Sequence, residues 1–434
     1  MSDQSRVRVS YTDLRGRLRS LWEALQSFQP RSIDSSLSER SYRLYFTGQL
    51  ISVVGSFVQT VALAFLVLHL TGSGTALGLV IATLWLPIFF FSPFGGLLAD
   101  RLDKRNILYV TQTLLVLLAG AFAVLIATGV IAMWMVYLLA LGVGGVNAVD
   151  LPTRQSFIAE MVPLDKLENA ITLNSISVNI ARVFGAALGG VIVAFLGLAT
   201  CFSLNAASFV AVLITLMMMR RAQLHPAPRV VRQKGQIRAG LRYVRTVPQL
   251  LVPMIMIAVI GVLAYEFPVT LPLMATDTFH RGAGTYGLMA SVMSGGAVLG
   301  GVVTASRERP RARALALAAI GWGIAISAAA VAPSLPLELL ALAFVGYGTI
   351  TFNAMAKTTL QLASIPVMRG RVMALWVLAW GGTTLIGGPL VGWIAQEFGA
   401  RWPLLVGGVP TVLVGIVAWP ALKRIDQHAE PPVR

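Results

Sequence analysis

Cysteine is almost missing from this chain: Cys201 is the only one in 434 residues. An intramolecular disulfide is thereby excluded, as is a cysteine-based metal cluster. The four histidines, His69, His225, His280 and His428, fall in separate segments and no H-E-x-x-H occurs, so zinc hydrolysis has no ligand set. No G-x-x-x-x-G-K-[ST] is present either, which leaves ATP-driven work without its phosphate loop. The glycines of GVGGVNAVD (142–150) read instead as helix packing. An enzyme is not expected, nor is a cofactor or a metal. Charge is scarce as well, at 12% of residues where a soluble domain carries about 25%. Acids are the rarer sign, 18 against 34 Lys and Arg.

What fills the chain is apolar: 56% of residues are hydrophobic and the mean hydropathy is +0.76. Twelve runs are long enough to cross a hydrocarbon layer about 30 Å thick as helices. They lie at 43–70, 76–99, 106–128, 131–150, 168–196, 199–219, 250–275, 285–305, 314–332, 336–361, 371–396 and 402–421. A closed β-barrel would need short alternating strands rather than these continuous runs. The expected fold class is therefore an all-α membrane protein of twelve transmembrane helices.

The net charge of +16 could suggest nucleic acid, but the basic residues are sorted by position. With a cytoplasmic N-terminus, 29 of the 34 fall in cytoplasmic segments and only Arg281 and Arg401 fall in the opposite loops. Arg43, Arg182 and Lys357 remain in or at the edge of spans. This split follows the positive-inside bias and places both termini in the cytoplasm of a chain integral to the plasma (inner) membrane. Nucleic acid is not expected as a partner; the lipid bilayer is. The first 40 residues are polar and show no signal-peptide pattern, so the first span is the expected insertion signal.

Residues 220–249 carry eight basic and no acidic side chains and divide the spans six and six. The expected domains are an N-terminal arm (1–40), a first six-helix half (41–219), a basic cytoplasmic linker (220–249), a second half (250–421) and a tail (422–434). In the arm, Leu14, Leu18, Leu21, Trp22, Leu25 and Phe28 share one helical face, as an amphipathic surface helix would have them. The linker around 237–247 could form a basic helix on anionic headgroups.

The halves resemble each other. GGLLADRLDKRN from Gly95 answers to GGVVTASRERPR from Gly300; Gly185 and Gly189 answer to Gly388 and Gly392; Asn147 answers to Asn353. The three offsets agree closely, as two parallel six-helix repeats of a secondary transporter require.

The stretch Gly96-Leu97-Leu98-Ala99-Asp100-Arg101-Leu102-Asp103-Lys104-Arg105 resembles the loop signature G-x-L-a-D-r-x-G-r-k of the major facilitator superfamily. With the twelve spans, the basic linker and the half-repeat, the resemblance covers about residues 41–421. Asp103 stands where the pattern prefers Gly, and LTGSGTALGLV (70–80) and DLPTRQSF (150–157) are similar to the branch holding drug:proton antiporters and enterobactin exporters. The resemblance implies that Asp100 meets the start of the eleventh helix, near Gly370, as a cytoplasmic latch, with Asp150 and Arg154 sharing that gate. Arg101, Lys104 and Arg105 would also fix topology. Ala305 replaces the acid in the second copy. The glycines of the fifth span resemble the antiporter motif G-x-x-x-G-P-x-x-G-G, with Ala186 in place of its proline and Arg182 where the motif begins. Small-residue helix packing accounts for Gly185, Gly189, Gly388 and Gly392 equally well.

Charges inside a span are functional candidates by default. Glu266, in LAYEFPVTLP, reads as the only acid well inside any span, and Pro268 and Pro272 should kink its helix. It could carry a coupling proton, attract a cationic substrate or simply pair with Arg182. Arg182 could itself contact an anion. Lys357 reads as a snorkelling lysine. Gln59, Asn147, Asn174, Asn179, Asn353 and Gln361 are candidate cavity donors or interhelical glue. Phe57, Trp85, Phe184, Trp376 and Trp380 are candidate aromatic walls.

The expected function is export of amphipathic or lipophilic, drug-like small molecules by proton antiport and alternating access, with protons as coupling ion and the protein acting as a monomer. An exporter of a siderophore, or a flippase for a lysophospholipid, keeps the fold and changes the cargo. A non-transporting membrane ligand sensor is the expectation from another class.

Overall fold

The computed structural model describes residues 35–225, 236–305 and 312–429. The surface helix expected in the arm lies outside these residues. Among them, twelve helical segments are long and apolar enough to cross a membrane. The first half comprises α1 (Arg40–Thr71), α2 (Gly74–Arg101), α3 (Lys104–Ala127), α4 (Met133–Met161), α5 (Leu167–Leu196) and α6 (Leu198–Met218). A short helix, α7 (Gln236–Thr246), belongs to the linker. The second half comprises α8 (Pro248–Ala264) with α9 (Phe267–Leu273), α10 (Ala283–Ala305), α11 (Ala312–Val331), α12 (Leu335–Ala363), α13 (Pro366–Phe398) and α14 (Trp402–Ala429).

Hydropathy makes the spans and local chemistry ends them. Gly72, at φ +61°, closes α1 by donating its N–H to Leu68 O at 2.8 Å, and Ser73 accepts the Ala76 N–H to start α2. A left-handed residue at a helix end favours glycine, and serine is a preferred N-cap. The seventh span is broken as its prolines require: α8 stops at Ala264, Glu266 sits at the junction, and a π turn over Met274–Thr278 follows α9. A proline inside a helix removes an N–H and crowds the preceding turn.

The repeat is visible in the packing. In the first half α2 lies on α4, α3 on α6, and α1 on α5 and α6; in the second, α10 lies on α12, α11 on α14, and α8 on α13 and α14. Glycine seams hold the first pair in both halves. A Cβ on Gly300 would stand 2.5 Å from Tyr347 O, and one on Gly95 would collide with Ala148 O. Backbones approach this closely only where side chains are absent.

Between the halves run two seams, α2 with α13 and α5 with α10. Gly74 faces Gly392 and Gly78 faces Gly388 on the first; Gly190 meets Ala283 and Gly287 on the second. Ser73 donates to Gln396 Oε1 at 2.5 Å, and Ser291 to Val183 O at 2.8 Å. These contacts extend from the middle of the bundle to the face opposite the linker. On the linker face, by contrast, nothing stands within 4 Å of a Cβ built on Gly370, and Phe94 is 68% exposed.

Candidate functional site

The loop between α2 and α3 shows what its charges do. Asp103 caps α3, accepting the N–H groups of Arg105 at 2.9 Å and Asn106 at 3.2 Å, which explains an acid where glycine was expected. Arg105 is buried, and its guanidinium donates to Leu216 O at 2.6 Å and Met219 O at 2.9 Å. A cation thus satisfies the last carbonyls of α6. Lys104 pairs with Glu160 of α4. Arg101 is exposed at the end of α2, and Asp100, in its last turn, is half-buried. The second half answers with the opposite sign, Asp426 of α14 accepting the N–H groups of Ala312 and Arg313 at the start of α11.

Asp150 is fully buried and held within the first half. It pairs with Arg154 one turn on, and Thr111 and Gln112 of α3 donate to its Oδ1 at 2.6 and 2.8 Å. Arg154 in turn donates to Gln49 of α1 at 2.8 Å. Three helices are tied together near the linker face by a network whose charges cancel, as buried ions require.

Glu266 is 3% exposed and its Oε1 has no hydrogen-bond partner among the described residues. It packs against Gly387 of α13, where a Cβ would stand 3.0 Å from Oε1, and Thr384 lies within hydrogen-bonding reach. Gly388, the next residue, is the one that meets Gly78 across the halves. The acid therefore sits behind the closed seam, beside a small crevice lined by Thr270, Ile326, Leu404 and Gly407. It forms no ion pair with Arg182, whose guanidinium lies 5.6 Å from the Phe57 ring centroid. Nor is it the sole buried acid in the spans. Glu338, in the first turn of α12, is 0% exposed, and neither carboxylate oxygen has a hydrogen-bond partner among the described residues. It stands two residues after Pro336, at the start of the run 336–361.

Next to Glu266, Tyr265 begins an aromatic cluster that gathers four helices. Its ring lies 5.0 Å from Trp322 of α11 and 6.5 Å from Trp380 of α13. Trp380 stacks parallel to Trp376 at 6.3 Å and meets Trp85 of α2, from the other half, edge-on at 5.9 Å. Asn353 of α12 donates to the Tyr265 hydroxyl at 2.6 Å, and one turn on, the Lys357 ammonium stands 5.7 Å from the Trp376 ring centroid. Asn353 Oδ1 and Trp376 Nε1 are buried without hydrogen-bond partners among the described residues. The i, i+4 spacing of Asn353 with Lys357, and of Trp376 with Trp380, carries this arrangement in the sequence.

The remaining candidates are dispersed. Gln59 accepts from Asn205 of α6 at 2.5 Å, and Asn179 donates to Ser175 O on its own helix. Asn147 is half-buried on α4, and Phe184 is 59% exposed. Gly185 and Gly189 pack on Phe57 and Val61 of α1, whereas Gly388 and Gly392 belong to the α2–α13 seam.

Solved structures of this architecture match about nine-tenths of the chain. A bacterial homologue of the human lysosomal transporter Spinster, in an inward-facing and unoccupied conformation, superposes with a TM-score of 0.71 at 15% identity, covering 93% of this chain and 100% of that one. The peptide transporter POT in complex with alafosfalin gives a TM-score of 0.73 at 12% identity, over 90% and 95% of the two chains. By sequence, the enterobactin exporter EntS of Citrobacter koseri is 23% identical over 90% of this chain and 94% of its own. The MFS-type transporter YfiS of Bacillus subtilis is 25% identical over 49% of this chain, and the staphyloferrin A transporter of Staphylococcus aureus 27% identical over 40%. The chain spans about half the length of those last two relatives, 51% and 44%. A family model described as transmembrane secretion effector matches residues 32–432. With that match over nearly its whole length, the chain belongs to the transmembrane secretion effector family of the major facilitator superfamily.

Proposed function

We propose that this transporter exports an amphipathic small molecule with aromatic and anionic groups, of siderophore type, by alternating access coupled to proton entry. One observation carries the reading of the cargo. Two cations inside the spans, half-buried Arg182 and exposed Lys357, each lie over an aromatic ring and, among the described residues, form no salt bridge with an acid. Isolated charge in a membrane interior is costly, and a ligand of opposite sign offsets that cost. The unpartnered Asn353 Oδ1 and Trp376 Nε1 add an acceptor and a donor; leaving such groups unsatisfied costs about 1–3 kcal/mol each, which a polar cargo would recover. Similarity to an enterobactin exporter over 90% of the chain supports the same cargo class.

Glu266 is the proposed carrier of the coupling proton. It is buried behind the seam that closes one face, so a change in its charge bears directly on the α2–α13 contact. With the linker in the cytoplasm, the bundle described here is closed to the outside, and Asp100 with the α13 terminus would form the latch of the opposite state.

A second reading, export of lipophilic drug-like compounds, draws on Phe90, Phe91 and Phe94, all exposed on the linker half of α2. Accumulation of anionic siderophores and of fluorescent lipophilic cations, in cells with and without the protein and with the proton gradient intact or collapsed, separates the two. Lower siderophore accumulation that reverses on collapse supports the first reading; lower accumulation of the cations alone supports the second. No difference for either class would refute export of both.

A further inference from the structure

The linker helix α7 has two faces that do different things. One is packed on the start of α13: Val244 is 2% exposed, a Cβ on Gly240 would stand 3.1 Å from Arg371 Cβ, and the Tyr243 hydroxyl accepts the Ile365 N–H at 3.3 Å. Ile365 is the residue that caps α13, so α7 grips the linker end of a seam helix. The other face is uncovered and carries Leu241, 41% exposed, with Arg242 and Arg245, both exposed, to one side of it. Arg369, on the first turn of α13, is exposed and donates its Nε–H to Gln361 O at 3.1 Å. No Asp or Glu occurs between residues 220 and 249, or from 366 to 396, so no acid on either helix in this region neutralises these arginines.

A short helix with basic residues beside an apolar one, at the level where a span enters the bilayer, matches a membrane surface bearing negative headgroups. We infer that the uncovered face of α7 docks on anionic phospholipid, and that lipid held there restrains the linker end of α13. The docking stands on α7 and its surroundings; the restraint bears on transport through the alternating-access reading proposed above.

The test uses the full chain in nanodiscs of phosphatidylcholine, with or without phosphatidylglycerol. Leu241→Cys is labelled with a polarity-sensitive fluorophore; Cys201 is fully buried and does not compete for label. Emission should shift to the blue when phosphatidylglycerol is present, and the shift should shrink in high salt, which screens exposed charges. It should vanish in Arg242→Gln/Arg245→Gln, whose exposed side chains can be changed without loss of the fold, as a thermal melt would verify. The same emission in both lipids overturns the docking. A shift produced by soluble polyglutamate but not by phosphatidylglycerol would assign the face to an acidic protein and overturn it equally. Spin labels at Phe94→Cys and Gly370→Cys then read the restraint: a narrower distance distribution with phosphatidylglycerol is expected. An unchanged distribution alongside a shifted fluorophore overturns the restraint on α13.

Discussion

Glu266 and Gly387 touch: a side chain begun on the glycine would place its Cβ 3.0 Å from the carboxylate Oε1 and still closer to Val262 O. Gly387→Ala should therefore push α13 off the α8–α9 junction, at a cost of about 1–3 kcal/mol for overpacking. The measurement is thermal melting in detergent together with efflux. A variant that melts and transports like the parent would mean that the contact has slack.

Glu266→Gln keeps the volume and removes the titration. Gradient-driven efflux should be lost while cargo binding persists, measured by flux in vesicles and by binding in detergent. Unaltered flux would take Glu266 out of the coupling.

Asp150→Asn leaves Arg154, 16% exposed, without its counter-charge; breaking a fully buried pair from one side costs about 3–5 kcal/mol, and this partly exposed one should cost less. Asp150→Asn/Arg154→Gln should recover part of that loss. Equal melting temperatures for the single and double variants would argue against coupling between the two side chains.

Arg105→Ala removes hydrogen bonds from a charged donor to the α6 carbonyls, each worth about 1.5–3 kcal/mol, whereas Arg101→Ala should fall within about 0.5 kcal/mol of the parent because its side chain is exposed. Melting temperatures of the two variants decide the matter. Comparable losses would reduce Arg105 to a generic loop charge.

Gly78→Val drives a branched side chain into Gly388 O. The α2–α13 seam should part, and Ser73→Cys should react faster with a membrane-impermeant maleimide added from the face opposite the linker. An unchanged rate would show that closure of this face depends on other contacts.

The spans, the break after Ala264 and the pairing of halves could be read from the sequence because each leaves a one-dimensional trace: apolar length, proline spacing, glycine offsets. The i, i+4 pair of Asp150 and Arg154 was equally open to inspection. What sequence spacing could not supply was the company a charge keeps across helices. Arg182 and Glu266 are isolated charges in apolar text, yet the first rests on a phenyl ring and the second against a glycine backbone. Lys357 reads as a snorkelling side chain because its distance from the helix end is all that the sequence displays; the Trp376 ring beneath it comes from another helix. Glu338 stands at the start of an apolar run, and nothing in the sequence shows that the other helices bury it there.

Along α2 and α13 the meeting surfaces at Gly74, Gly78, Gly388 and Gly392 are main chain on main chain. Interlocked side chains must rotate out of their wells before two helices can separate, and each such rotation adds to a kinetic barrier. These four positions present no such teeth. Separation at these four positions would need no side chain to leave its well, and the side-chain contacts to be broken between the two helices include the Ser73–Gln396 hydrogen bond and the Trp85–Trp380 edge.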